Sequence, residues 1–183
     1  MPLPSTMTPI ATNTLTAAAA SVVFSSIPNT YTDIVAVCQL VATSATLQNA
    51  PQLRINGDTG SNYSATALNG NGINGASGRW TNQTVIYADY YGILQNNGIG
   101  QATAHFMNYS NTTTYKTVLM RSGKGSKETT ASAGLWRSTA AINSISFITI
   151  FNNIFKIFII SFCFILRCLV FFSKMRSTRL ISI

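Results

Sequence analysis

Between Tyr31 and Thr43 the chain presents apolar side chains to both sides of any strand it forms. Ile34, Ala36, Cys38 and Leu40 share one face, and Val35, Val37 and Val41 share the other, interrupted by Gln39. A strand that is apolar on both faces needs cover on both. It predicts the interior of a layered β-protein or a subunit interface.

The polar residues point the same way. Charged residues make up 9% of the 183-residue chain, against about a quarter in ordinary soluble domains. The surface must therefore be built from Ser, Thr, Asn and Gln. Sheets tolerate that chemistry, whereas soluble helical proteins carry far more Glu and Lys. The length allows one domain with a real core, plus something extra.

Further strand-like runs follow at short intervals. Ala17–Ser25 ends in Val22-Val23-Phe24 and is closed by the turn Ile27-Pro28-Asn29-Thr30. Gln52–Asn56 places Leu53 and Ile55 inward with Gln52 and Arg54 outward, and runs into the turn signal Asn56-Gly57-Asp58-Thr59-Gly60. Gln83–Ala88, Ala102–Tyr109, Tyr115–Arg121, Ala133–Arg137 and Ala141–Ile150 continue the series. The glycine-rich stretch Asn69–Gly78 and the charged stretch Arg121–Thr130 read as loops, and Asn108–Thr114 as a polar turn. Met1–Thr16, with Pro2, Pro4 and Pro9, reads as an extended arm over residues 1–16. Short strands, frequent turns and no helical period predict a mainly β domain over residues 17–148, an antiparallel β-sandwich of jelly-roll type.

The motifs that hint at chemistry fail in their context. Gly70, Gly72 and Gly75 satisfy G-x-G-x-x-G, but Ala76-Ser77-Gly78-Arg79-Trp80 is a poor helix start for a dinucleotide site. The loop from Asn56 to Asn62 hints at calcium, yet it holds one carboxylate, and Ala67 stands where a bidentate Glu belongs. Arg121-Ser122-Gly123-Lys124-Gly125-Ser126-Lys127 has the wrong order for a phosphate loop and lacks the aromatics of a nucleic-acid patch. His105 is the single histidine, and Asp33, Asp58, Asp89 and Glu128 are the only acids. Four acids leave little material for general acid–base pairs or metal cages. The expectation is a protein that is not an enzyme, with no catalytic residues, no cofactor and no metal. Trp80, Tyr87, Tyr90 and Tyr91 flank loops; Trp80, Tyr90 and Tyr91 are the candidate glycan contacts, set against a role in core or interface packing. Cys38, Cys163 and Cys168 form no disulfide framework and read as reduced thiols. With no basic segment ahead of Ala17–Phe24, no signal peptide is expected, and the N-x-[ST] triplets at Asn62, Asn82, Asn108 and Asn111 read as chance.

Four segments taken together resemble a family. They are Ser21–Pro28 running into Thr30-Tyr31-Thr32-Asp33; Leu53-Arg54-Ile55-Asn56-Gly57-Asp58-Thr59-Gly60-Ser61-Asn62-Tyr63; Tyr115–Gly123; and Trp136–Ile145. In order and spacing, from about residue 15 to residue 148, they resemble small virion structural proteins of tailed, often marine, bacteriophages. The resemblance implies a β-sandwich that decorates a capsid or builds part of a tail or fibre, located in the virion and assembled in the host cytoplasm. It implies other virion proteins and further copies of the chain as partners, no specific nucleic acid, and no active-site residues to transfer. The second functional reading, of a different class, is an adhesin-type sandwich that binds a host-surface glycan.

Residues 149–183 depart from that family, whose members finish with a last strand ending in a Leu-Tyr-Gly-like signature. Phe and Ile each appear seven times in residues 151–183, while the last Gly is Gly134 and the last acid is Glu128. Residues 1–150 carry seven cations against four acids, and five more cations, Lys156, Arg167, Lys174, Arg176 and Arg179, lie in the tail. Such a bias is what AT-rich nucleotides give when read out of frame. The competing reading is a membrane tail anchor over Ile154–Phe172, interrupted by Lys156 and Arg167. Either way a helix is expected, leaving a sheet edge or core face uncovered.

Overall fold

A computed structural model describes residues 9–42, 51–88, 99–124, 128–149 and 155–165. Its elements are β1 (Pro9–Asn13), β2 (Ser21–Phe24), β3 (Asp33–Ala42), β4 (Pro51–Ile55), β5 (Tyr63–Gly70) and β6 (Gly75–Gln83). They continue with β7 (Ile86–Tyr87), β8 (Ile99–Phe106), β9 (Lys116–Lys124), β10 (Glu128–Trp136), β11 (Ile145–Thr149) and β12 (Phe155–Ile165). Every pairing is antiparallel, and the described residues contain no helix. A large sheet has the order β1-β12-β3-β8-β9-β10-β5-β6, and a small one the order β2-β11-β4-β7.

One core draws on both sheets. Ile34, Ala36, Cys38 and Leu40 of β3, Phe106 of β8, Val118 of β9 and Trp136 of β10 come from the large sheet. Val22 and Phe24 of β2, Leu53 and Ile55 of β4, Ile86 of β7, and Ile145 and Phe147 of β11 come from the small one. The period of two is clearest in β10, where buried and exposed positions alternate from Glu128 to Ala133. Gly134 lies where β7 crosses, and a Cβ there would fall on the Ile86 side chain. Burial also pushes the Cys38 thiol far above its ordinary range, in line with an inert, reduced cysteine.

Several expectations change. Asn69 and Gly70 close β5 and Gly75–Gly78 open β6, so only residues 71–74 form a turn. The stretch Arg121–Thr130 is mostly strand, since β9 runs to Lys124 and β10 begins at Glu128. β5 is absent from the strands expected from sequence: of its inward residues, Ala65 and Ala67 are too small to give an alternation signal and only Tyr63 marks the face. Gln52, expected outward, is buried. Within the expected N-terminal arm, Pro9–Asn13 is a paired strand at the edge of the large sheet, and residues 1–8 lie outside the described residues. In the tail, Phe155–Ile165 is a strand rather than a helix. Its register sets Ile160, Phe162 and Phe164 beside Cys38, Ala36 and Ile34, so backbone pairing with β3 wins over local helical tendency. No helix among the described residues is long and apolar enough to cross a membrane.

Candidate functional site

At one end of the molecule the polar residues are bound to each other. Asn56 and Gly57 have φ of 52° and 67°, and the Asp58 N–H donates to Ile55 O at 3.0 Å, which is type I′ turn geometry. The turn is not a hairpin, because it carries the chain from β4 in the small sheet to β5 in the large one. Asn56 donates through Nδ2 to Ala141 O (2.8 Å) and accepts at Oδ1 from the N–H groups of Asn143 (2.9 Å) and Ser144 (3.1 Å). Asp58 accepts from Trp136 Nε1 (2.7 Å), Asn62 Nδ2 (2.9 Å) and the Gly60 N–H (2.8 Å). Those bonds, Trp136 first, hold its carboxyl below the usual carboxylate range. The Tyr63 ring stacks on Trp136 at 6.4 Å, and its hydroxyl, 3.1 Å from Ile55 N and O, is pushed up to about 12 by burial. Arg137 donates through Nη2 to Ser61 O (2.5 Å) and Asn82 Oδ1 (3.0 Å). The calcium-like loop is therefore a structural clasp between the β4–β5 turn and the chain from Trp136 to Ser144.

Several other ionisable groups, at this end and elsewhere, are similarly engaged. Asp33 accepts from the Asn108 N–H (2.8 Å) and meets His105 Nε2 at 2.9 Å. Nothing local in the sequence could have paired these two, which stand 72 residues apart. Tyr109, buried in the core, donates its hydroxyl to Pro28 O. Lys116 is 1% exposed and caps Thr114 O (2.7 Å) and Thr139 O (3.1 Å), and desolvation lowers its pKa. Glu128, also buried, accepts from Asn69 Nδ2 at 3.1 Å, while Glu128 Oε1 and Asn69 Oδ1 have no hydrogen-bond partner among the described residues.

Of the three candidate glycan contacts, Tyr90 and Tyr91 lie outside the described residues. Trp80 is half-buried, sits opposite buried Ala65, stacks on Tyr87 at 5.2 Å and packs against the core. Its ring is thus turned to the inner side of the large sheet.

The outer side of that sheet is different in kind. Register aligns Val37, Thr103, Arg121, Ala131, Leu68 and Ser77 in one row across it, and Val35, His105, Leu119, Ala133, Thr66 and Arg79 in the next. In these two rows Arg121 and Arg79 are the only charged residues besides His105 when protonated. Along β10 the outward residues Ala131 and Ala133 are small and lie between Thr129 and Leu135, with Leu119 and Arg121 on one side and Thr66 and Leu68 on the other. The result is two shallow hollows strung along β10, of about 710 Å³ and 720 Å³. Leu68 is 62% exposed and Leu119 50% exposed at their rims. Sequence reading missed this feature, although the apolar outer face of Tyr31–Thr43, with Val37 exposed, belongs to the same surface.

Among the described residues no three His, Cys, Asp or Glu side chains are gathered as a metal site would require. Comparison with protein-family models, with curated proteins and with solved structures finds no match.

Proposed function

We propose that this chain is a non-enzymatic structural protein of a phage particle, a capsid-decoration or tail and fibre component that acts by assembling with other proteins. One contrast carries the reading. Asp33, Asp58, Glu128, Asn56 and Arg137 are engaged within the molecule, while the two central rows of the large sheet's outer face carry, besides His105 paired with Asp33, only Arg79 and Arg121 and keep aliphatic side chains in solvent. The strand order supports a jelly roll. Taking β2 to β7 with β10 and β11 as its eight strands, one sheet holds the first, eighth, third and sixth, and the other the second, seventh, fourth and fifth, with the β8–β9 hairpin inserted between β3 and β10. The out-of-frame origin of residues 149–183 is part of the same reading. It is checked by translating the other two frames downstream of codon 147 and looking for a Gly-containing turn and a short strand ending in aromatic-Gly.

Mass spectrometry of purified particles tests the function, and the chain is expected among their proteins. Abundance in infected lysate with absence from particles would overturn the reading. The adhesin alternative has less support, because Trp80 packs inward. Glycan binding abolished by Trp80→Ala, in a variant that keeps its fold, would revive it.

A further inference from the structure

We infer that the groove along β10 receives the β5–β6 hairpin tip of a second copy of this chain, so that copies join head to tail. The inference rests on the assembly reading above and names its interface. The groove has a simple origin: Ala131 and Ala133 lie on a central strand, with Arg121 and Leu119 on one neighbour and Leu68 and Thr66 on the other. The flanking strands stand two spacings apart, about 9.6 Å, room for one aliphatic side chain between their rows.

The chain itself supplies a matching projection. Ile73 is 89% exposed, the most exposed large apolar residue among those described. It is held out on a pre-ordered turn rather than on a loose loop. Asn71 Oδ1 accepts from the N–H groups of Ile73 (2.9 Å) and Asn74 (2.7 Å), and the Asn71 N–H donates to Asn74 O (3.1 Å). Gly72 provides the positive φ of 86° that the turn requires. Pre-organisation lowers the ordering cost of docking. Neither side resists the contact electrostatically, since residues 71–74 are uncharged and Arg121 is the one charge between Leu68 and Leu119. An acidic partner would suit Arg121 but would leave the two leucines, half or more exposed, without apolar cover. Tip and groove are different patches of one molecule, so the contact is heterologous and builds rings or filaments.

Sedimentation equilibrium of the full chain over a concentration series tests this with two variants. Ile73→Asp blocks the tip and Leu119→Asp blocks the groove, both at exposed positions where the fold should persist, as circular dichroism will verify. Each variant alone is expected to associate at least about thirtyfold more weakly than wild type. Mixed, they recover one intact tip–groove contact and should form a one-to-one dimer that grows no further. Association unchanged by Ile73→Asp overturns the inference and leaves the assembly reading standing. Failure of the mixture to dimerise also overturns it. Capture of an anionic polymer such as heparin, lost in Arg121→Gln and unaffected by Ile73→Asp, would assign the groove to an acidic partner instead. A chain that stays monomeric at every concentration overturns the inference, and particle composition then decides the wider reading.

Discussion

The clasp around Asp58 and the groove along β10 both carry polar side chains and behave in opposite ways. In the clasp, Asn56, Asp58, Tyr63, Trp136 and Arg137 satisfy one another, so polar side chains act as joints between the two sheets. Across the groove, Thr129, Ala131, Thr66 and Thr103 lie on one face with Leu68 and Leu119 raised above them. Polarity alone therefore does not mark the functional surface here. What separates the regions is whether each group already has a partner. Substitutions in the clasp should cost stability and leave association intact, and those on the groove should do the reverse.

The largest expected effect is at Trp136. Its side chain is 2% exposed, stacks on Tyr63 and donates to Asp58. Trp136→Ala removes the ring and orphans part of the carboxylate's bonding, at a cost of about 3–5 kcal/mol. A urea midpoint shifted by less than a quarter of the wild-type value would show that the clasp does not hold the sheets together. Gly134→Ala should cost about 1–3 kcal/mol, because the new Cβ meets fully buried Ile86 with no room to yield. The double variant Gly134→Ala with Ile86→Val should regain part of that loss, and no regain would mean the strain lies elsewhere.

A smaller effect is tied to pH. Asp58 has a folded pKa below its ordinary value of 3.8. Its contribution is therefore fully present above that ordinary value and disappears as pH falls through the lowered one. Denaturation midpoints measured from pH 5 down to pH 2 should fall more steeply for wild type than for Asp58→Asn, which lacks the titrating group. Equal slopes would detach Asp58 from the acid response.

How much of this could be read beforehand depended on side-chain size and on sequence distance. β3 was legible because Ile34, Val35, Val37 and Leu40 mark both faces strongly. The turn at Asn56-Gly57 was legible because only such residues accept two successive positive φ values. That it crosses between sheets was not, since its partners Trp136 and Ala141–Ser144 lie about eighty residues away. β5, β6 and the outer face of β10 are rich in Ala, Ser, Thr and Gly, where inward and outward residues differ too little for periodicity to show. That lack of contrast also hid the groove, which exists because its floor is small. In the tail, the Phe and Ile content suited helix and strand alike, and only the edge of β3, a long-range feature, decides for strand over Phe155–Ile165.

The smallest expected change in stability is also the sharpest test of the comparison. Leu119 sits on β9 with Ala133 of the groove floor on one side and His105 on the other, half-exposed and outside the core. Replacing it with Asp breaks no described hydrogen bond and buries no charge. Leu119→Asp should therefore change the unfolding free energy by no more than about 0.5 kcal/mol, the usual range for surface positions. Its new carboxylate lies two residues from Arg121 on the same face, so any small residual effect should be stabilising and weaken with salt. Self-association should respond far more than stability does. Thermal melting and sedimentation on the same sample separate the two readouts. A melting point lowered by more than about 4 °C would mean that this leucine supports the fold after all. The open face would then be a second structural region rather than a docking surface.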